Sequence, residues 1–391
     1  MRGHIRVRKG SRGTSYELRL YAGVDESGKR RYIVETVRGS RRDAEKRLAQ
    51  LITAADSGQA RSTSKARLSE LVDEWWEACT SHLSPHTRIG YLGMLRRYVL
   101  PTFGSRRIDK LKPLELERWY AKLMAGPPPL SPLTVRKIHT LLAGILSTAV
   151  RWGWLPVSPL AHVRAPKAVL KAMRAPEPEE IALALQVAEE FDEELHVFLR
   201  LSAALGTRRG ETAALHWCDI DLDSGDIHVH RGLAPVEADP RQVLEKGTKT
   251  HANARLAIDE ETLATLQRFR VRAIENALAF GMAFNNDSYV FSPEPGGRVP
   301  WHPDHFGGQW ERLRKKLGLD HIRLHDWRHF HGTELASAGV PMTVVRDRLR
   351  HSNIRTTSMY AHGRRALDRA AADAIGESLR KAHRRSDEAA R

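Results

Sequence analysis

Apolar and polar residues alternate with a period of two between positions 4 and 36. Tyr16, Leu18 and Leu20 fall on one face, and DESGKR at 25–30 reads as a hairpin turn, a pattern that predicts antiparallel strands. The period then lengthens: Ser40 with Asp43 makes a capping-box-like start, and Ala44, Leu48 and Leu51 form one apolar stripe, so a helix follows. The expectation for this segment is a three-stranded sheet with one helix, carrying arginines on its strands. AADSGQARSTSK, 54–65, has linker composition.

Over 66–165 the pattern is helical throughout, from LSELVDEWWEACTSHL to TVRKIHTLLAGILSTAVRWGW, punctuated by the proline-bearing loops SPHT, LKPLE and GPPPLSP. An all-helical domain of about 100 residues is expected. A second linker, APKAVLKAMRAPEPEE, leads into a mixed region. There the pattern predicts helices around 179–205 and 259–280, and strands around 226–231, 241–246 and 254–258. Three further helical segments follow: one after Leu324 that ends at Gly339, one entered through Pro341, and one ending near Tyr360. The fold class is therefore multidomain and mainly α with small β-sheets: residues 1–60, 66–165 and 176–391, the last mixed α+β.

Charge sharpens this division. Of the +16 formal charge, residues 1–65 hold 16 Lys/Arg against 7 Asp/Glu, residues 66–175 hold 17 against 7, and residues 176–391 hold 30 against 33. A front half this basic suits a polyanion, most simply nucleic acid, whose phosphates reward each cationic contact with counterion release; the plainer alternative is a solubilising charge excess. No apolar run is long enough to cross a bilayer, and MRGHIRVRKG lacks the apolar stretch of a signal peptide. Cys79 and Cys218 have no metal-type spacing and imply no disulfide framework, so a reducing cytoplasm is expected and no membrane partner.

Candidate chemistry gathers in the last region. LGTRRGETAALHWCDID, 205–221, puts Arg208 and Glu211 three residues apart at a helix start, where the carboxylate can fix the guanidinium; alone, such a pair is a surface ion pair. LHDWRHFHGTELASAGV, 324–340, puts His325 and Arg328 near a helix N-terminus that favours a phosphate. A zinc site from His325, His329 and His331 is an alternative, weakened by the absence of HExxH and of any cysteine partner. EKGTKTHANARLAID, 245–259, reads as a turn between two strands with Lys246 and Lys249 at its tip, where lysines are usually just solvated. In HSNIRTTSMYAH, His351 precedes Tyr360 by nine residues, with Ser352 or Asn353 able to cap the helix between them.

Together these parts describe a means of breaking a phosphodiester with a tyrosine. Two arginines can hold the non-bridging oxygens and stabilise charge building at phosphorus. A phenol of pKa about 10 needs a base or electrostatic help, for which histidine is suited, and a lysine can protonate the departing sugar oxygen. No metal or nucleotide cofactor is called for, and no GxxxxGK[ST] motif is present.

GTRRGE, the Lys-Thr of GTKTHANAR, HDWRH and LRHSNIRTTSMYAH occur in the order and approximate spacing of the tyrosine recombinases of the phage integrase type, which this chain resembles. The likeness extends to SPLTVRKIHTLLAGILSTAVRWGWLPVSPL, similar to the family's helical core-site-binding domain, and to the basic N-terminal sheet, similar to its arm-site-binding domain. The resemblance implies that Arg208 and Arg328 clamp the phosphate, His325 is a general base or phosphate ligand, and Lys249 the general acid, with Lys246 nearby on the same turn. It further makes His351 a ligand assisting the transition state, Tyr360 the nucleophile and Glu211 a support for Arg208. The product of attack would be a 3'-phosphotyrosine, and four protomers would exchange strands of double-stranded DNA at core-type and arm-type sites through a four-way junction. The helical tail after Tyr360 would dock on a neighbouring protomer, and a DNA-bending or excision protein could assist.

Two positions depart from the family pattern. Arg350 stands where a glycine is usual, which would alter the turn or add a DNA contact, and Trp327 stands where leucine is commoner. Competing readings are a type IB topoisomerase-like activity, an excising or dimer-resolving recombinase, and a catalytically silent DNA-binding factor. A second DNA-binding module speaks against the topoisomerase, and the complete set of clamp residues against the silent factor. The N-terminal module favours integration of a phage or other mobile element.

Overall fold

The computed structural model describes residues 3–10, 13–24, 30–56, 64–168, 174–247, 253–361 and, in the tail, 369, 372–373 and 375–381. The chain divides into two units, Met1–Lys171 and Ala172–Arg391. Residues 25–29 of the expected turn, 57–63 and 169–173 of the two linkers, Lys249 and most of the tail lie outside the described residues.

In the first unit, β1 (Gly3–Gly10), β2 (Gly13–Val24) and β3 (Arg30–Arg38) form an antiparallel sheet in sequential order. Leu18 and Leu20 point from β2 into a small core shared with Ala44 of α1 (Arg41–Asp56). The start of α1 is fixed locally: Asp43 accepts hydrogen bonds from the Ser40 amide at 3.0 Å and hydroxyl at 2.7 Å, satisfying groups that a helix start leaves open.

The helical part comprises α2 (Leu68–Cys79), α3 (Pro85–Met94), α4 (Leu100–Phe103), α5 (Pro113–Ala125) and α6 (Pro132–Arg151), with a π-helical stretch, Leu95–Val99, joining α3 to α4. Ser84 and Ser131 cap α3 and α6, each followed by proline at the first helical position. Val135, Ile138, Leu142, Ile145 and Ala149 of α6 are buried, a three-four spacing that turns one face of the helix inward.

In the second unit, α7 (Pro178–Phe191) and α8 (Glu193–Leu205) replace the single stretch expected at 179–205. Asp192 breaks it, leaving the helical region and capping α8 through the Leu195 amide at 2.9 Å. α9 (Arg209–Thr212) follows, then β4 (Ile220–Asp221), β5 (Asp226–Val229), β6 (Arg231–Pro235), β7 (Val243–Gly247) and β8 (Ala254–Ala257). The strand expected at 226–231 is thus two strands divided at His230. Among the described residues the strands flanking the turn expected between 241–246 and 254–258 do not pair with each other: β7 pairs with β6 and β8 with β5.

α10 (Glu260–Ala279), α11 (Pro303–Lys316), α12 (Asp326–Ser337), α13 (Met342–Leu349) and α14 (Ile354–Thr357) complete the unit. Its apolar core centres on Phe198, which stacks on Phe306 with ring centroids 4.0 Å apart, and on Trp310 against Trp327 at 5.3 Å. Trp327, the departure from the usual leucine, is thereby a core residue facing away from solvent. Among the described residues no helix is long and apolar enough to cross a membrane.

Candidate active site

The site is assembled around the C-terminal end of α8. Gly206 ends that helix in the left-handed region, φ +59°, and a Cβ there would lie 2.6 Å from His331 and 2.8 Å from Leu349; only glycine fits the turn and the close approach. The turn presents its carbonyl to Arg328, whose Nη1 donates to Gly206 O at 2.5 Å and whose Nη2 donates to Leu349 O. His331 meets Ala203 O at 2.7 Å, and Arg348 donates to Ala204 O at 3.1 Å and Ala257 O at 3.0 Å. Cationic and imidazole groups from α12 and α13 thus take the carbonyls that a helix C-terminus leaves open.

Immediately after the turn, Arg208 precedes α9 and Glu211 sits in its first turn. The Glu211 carboxylate accepts from the Arg208 amide at 2.9 Å and from Arg208 Nη1 at 2.6 Å. It also accepts from Arg350 Nη2 at 2.8 Å, and the Arg350 side chain is almost wholly buried. This corrects the expectation for Arg350: the turn keeps the left-handed backbone, φ +54° and ψ +43°, and the guanidinium points inward to Glu211 and to Arg348 O. Burial alone would push the Glu211 pKa up, but Arg350 and Arg208 outweigh it and hold the carboxyl below its ordinary value.

His325 occupies the N-cap position of α12 without a side-chain capping bond and keeps part of its surface in solvent; desolvation by the surrounding protein, then the Arg328 charge, lower its pKa. Arg328 is buried, and desolvation followed by Arg208 lowers its pKa to about 9, which leaves it charged at neutral pH. His351 is hydrogen-bonded through Nδ1 to Thr357 at 3.0 Å, and burial followed by Arg328 and Arg208 lowers its pKa to about 4. Asn353, rather than Ser352, caps α14 through the Arg355 amide at 2.9 Å.

Tyr360 lies in a single turn, Ser358–Ala361, directly after α14, and is buried. Its ring is parallel to that of His351, with centroids 6.3 Å apart. Its hydroxyl shares a hydrogen bond of 3.0 Å with His329 Nδ1, and its ring rests on Gly332, where a Cβ would come within 2.7 Å. Burial raises the phenol pKa, with Arg328 pulling partly the other way.

Arg208, Glu211, His325, Arg328, His351 and Tyr360 are therefore brought into one cluster. Lys249 lies outside the described residues. Lys246 is opposite Gly232 in the β6–β7 pair, and Gly232 in turn adjoins Glu211, where its missing Cβ would be 3.7 Å from Cγ. The three histidines weighed as a zinc site have separate partners: His331 bonds Ala203, His329 bonds Tyr360, and His325 packs edge-on to His329 with centroids 4.9 Å apart. The bond from His329, the notch at Gly332 and the inward Arg350 go beyond the sequence-based expectations. The first two are not legible as such in the sequence: His329 stands out there only as a zinc candidate, and an isolated glycine in a helix signals a close approach without naming its partner.

Three guanidinium groups, Arg208, Arg328 and Arg350, against the Glu211 carboxylate, with Asp326 already paired to Arg323, leave excess positive charge beside a tyrosine hydroxyl and the imidazoles of His325, His329 and His351. This is the constitution of a site that holds an oxyanion against a nucleophile. Comparison with known proteins agrees with that class. The phage integrase family model matches residues 174–366, and the N-terminal SAM-like domain of phage integrases matches residues 67–124.

The chain is 25% identical over 348 residues to the ICEBs1 integrase of Bacillus subtilis, covering 89% of this chain and 93% of that protein. It is likewise 25% identical over 373 residues to a XerC-like tyrosine recombinase of Caldanaerobacter subterraneus, covering 89% and 92%. Among solved structures, the Tn1549 transposon integrase in complex with transposon right end DNA superposes with a TM-score of 0.66 at 19% identity, over 80% of this chain and 100% of that one. A lambda integrase tetramer bound to a Holliday junction gives 0.60 at 15%, over 91% and 94%. The chain belongs to the phage integrase family and is a tyrosine-type site-specific DNA recombinase.

Proposed function

We propose that Tyr360 attacks a phosphodiester of double-stranded DNA, forming a 3'-phosphotyrosine and releasing a 5'-hydroxyl. The tyrosine oxygen bonds to phosphorus as the bond to the 5'-oxygen breaks; the reverse attack by a 5'-hydroxyl of the partner strand restores the DNA and frees the tyrosine. Because the ester conserves the bond, rejoining consumes no high-energy cofactor. Arg208 and Arg328 hold the non-bridging oxygens, with Glu211 fixing Arg208. His325 and His351 are further ligands of the phosphoryl oxygens, and Lys249 delivers a proton to the leaving 5'-oxygen, with Lys246 the alternative donor on the same segment. The observation that carries this reading is the Tyr360 hydroxyl hydrogen-bonded to His329, on a ring lying parallel to His351 and within the field of Arg328.

In this reading residues 66–165 bind the core site, residues 1–60 an arm-type site, and residues 176–391 do the chemistry. Four protomers exchange strands through a four-way junction; the lambda integrase tetramer on a Holliday junction supports that arrangement by likeness of fold. The N-terminal module favours integration of a phage or mobile element, assisted by a DNA-bending or excision protein, in the cytoplasm. The test is relaxation of a supercoiled plasmid carrying the DNA that flanks the coding region, in EDTA, comparing the wild-type chain with Tyr360→Phe and seeking protein covalently joined to DNA. Relaxation and an adduct that both vanish in Tyr360→Phe are expected. An adduct that persists in the variant overturns the assignment.

A further inference from the structure

We infer that His329 is the proton acceptor for the Tyr360 hydroxyl, and that α12 holds the hydroxyl-bearing end of the tyrosine ring through both His329 and Gly332. The inference rests on Tyr360 being the nucleophile. Among the described residues, His329 is the hydrogen-bonding partner of the phenol oxygen, through Nδ1 at 3.0 Å. One turn further along the same face, Gly332 opens the notch that receives the ring. With its phenol facing a nitrogen and its ring seated on backbone, Tyr360 has little freedom to present its oxygen elsewhere.

The groups around His329 are Arg323 and His325 ahead of α12, Asp326 and Arg328 in its first turn, His351 from the loop after α13, and Tyr360 from the turn after α14. Burial, then His325, lowers its pKa to about 4, so the ring is neutral and has a free lone pair at neutral pH. As the tyrosine oxygen bonds to phosphorus, its O–H bond breaks and the proton passes to Nδ1, giving an imidazolium. In resealing, the same Nδ1–H returns the proton to the departing phenolate. The histidines then have separate roles, His329 serving the nucleophile while His325 and His351 serve the phosphate.

The tautomer is read by NMR of the full chain carrying ¹⁵N-labelled histidine. The expected result is a His329 ring protonated at Nε2 and bare at Nδ1 near pH 7, with the Nδ1 resonance shifting in Tyr360→Phe. A ring protonated at Nδ1 overturns the inference without reference to DNA.

The kinetic arm measures single-turnover adduct formation on DNA that the wild-type chain cuts. His329→Gly should slow it by ~10²–10⁴-fold near pH 7. The deficit should shrink as pH rises toward the phenol pKa, and added imidazole should restore part of the rate. A loss equal at every pH and unmoved by imidazole marks a packing role and overturns the inference. So does a His329→Gly chain that cuts at the wild-type rate, while Tyr360→Phe forming no adduct keeps the nucleophile assignment standing in either case.

Discussion

In the helical part of the first unit the buried side chains are leucine, isoleucine, valine, alanine and aromatic rings, and the buried polar exceptions are Thr80 and Thr148. Each threonine returns its hydroxyl to a carbonyl one turn back, Trp76 O at 2.6 Å and Gly144 O at 3.0 Å. The second unit buries Glu211, Asp326, Arg328, His331 and Arg350 within the same fold that houses its apolar core. The first core rests on area removed from water, each fully buried aliphatic or aromatic side chain contributing about 1.5–3 kcal/mol. The second must also give every ion a partner, since an unpaired buried charge costs more than several such side chains. There the atoms that close the backbone are the atoms proposed to hold the phosphate.

The comparison breaks most visibly at Arg328. Arg328→Ala removes the guanidinium proposed to hold the phosphate and leaves Gly206 O and Leu349 O without their donor. We expect no detectable covalent adduct and a stability loss of about 2–4 kcal/mol in denaturant titration. Ile138→Ala in the helical core is the control: a loss of about 2–5 kcal/mol with the adduct retained once the chain is folded. If Arg328→Ala abolished cleavage at unchanged stability, the guanidinium would serve chemistry alone and the shared-atom argument would fail.

The same contrast governs what could be read from the sequence. α6 is visible because its inward face repeats with helical period, and β2 because its apolar residues alternate. α12 has no such stripe: the side chains it turns inward include Asp326, Arg328 and His331, so periodicity misses its orientation and only the spacing of its chemical groups marks it. α11 is hidden because Gly307, Gly308 and a charged C-terminal half dilute Phe306, Trp310 and Leu313. The lysine segment reads as a hairpin because sequence neighbours usually pair, whereas β8 joins β5 instead of β7. Arg350 is recognisable as unusual, but nothing in the chain order says that position 350 faces position 211.

Acid should separate the two regions next. Burial is the leading cause that lowers the pKa of His329, His331 and His351 to about 4 each, against about 6.5 in an unfolded chain. Between those values the unfolded chain binds more protons, so their contribution is intact above about pH 6.5 and is lost as pH falls toward 4. Glu211, held below the usual carboxylate range, adds its loss lower still. The helical part has His139, lowered chiefly by burial and hydrogen-bonded to Tyr120 at 3.1 Å. Hydrogen exchange on the whole chain between pH 7 and 4.5 should therefore show residues 172–391 losing protection before 66–165. Loss in the reverse order would mean that the histidine cluster is not a stability determinant.

Arg350→Gly should have the smallest effect, because two opposing terms meet there. A non-glycine residue at φ +54° costs about 1–2 kcal/mol relative to glycine in the left-handed region, and the substitution removes that strain. It gives part of the gain back through the freer unfolded chain, about 0.4–1 kcal/mol. It also deletes a buried ion pair, whose rupture costs about 3–5 kcal/mol when the surviving charge is stranded. Glu211 is not stranded, for it retains the Arg208 guanidinium and amide, so the loss should fall below that range and the net destabilisation come to about 1–2 kcal/mol. Cleavage should persist, since Arg350 is placed to hold Glu211 and not the phosphate. A variant more stable than the wild-type chain would show that the left-handed arginine costs more than its ion pair returns. A variant that folds but forms no adduct would show that Arg208 needs Glu211 held from both sides.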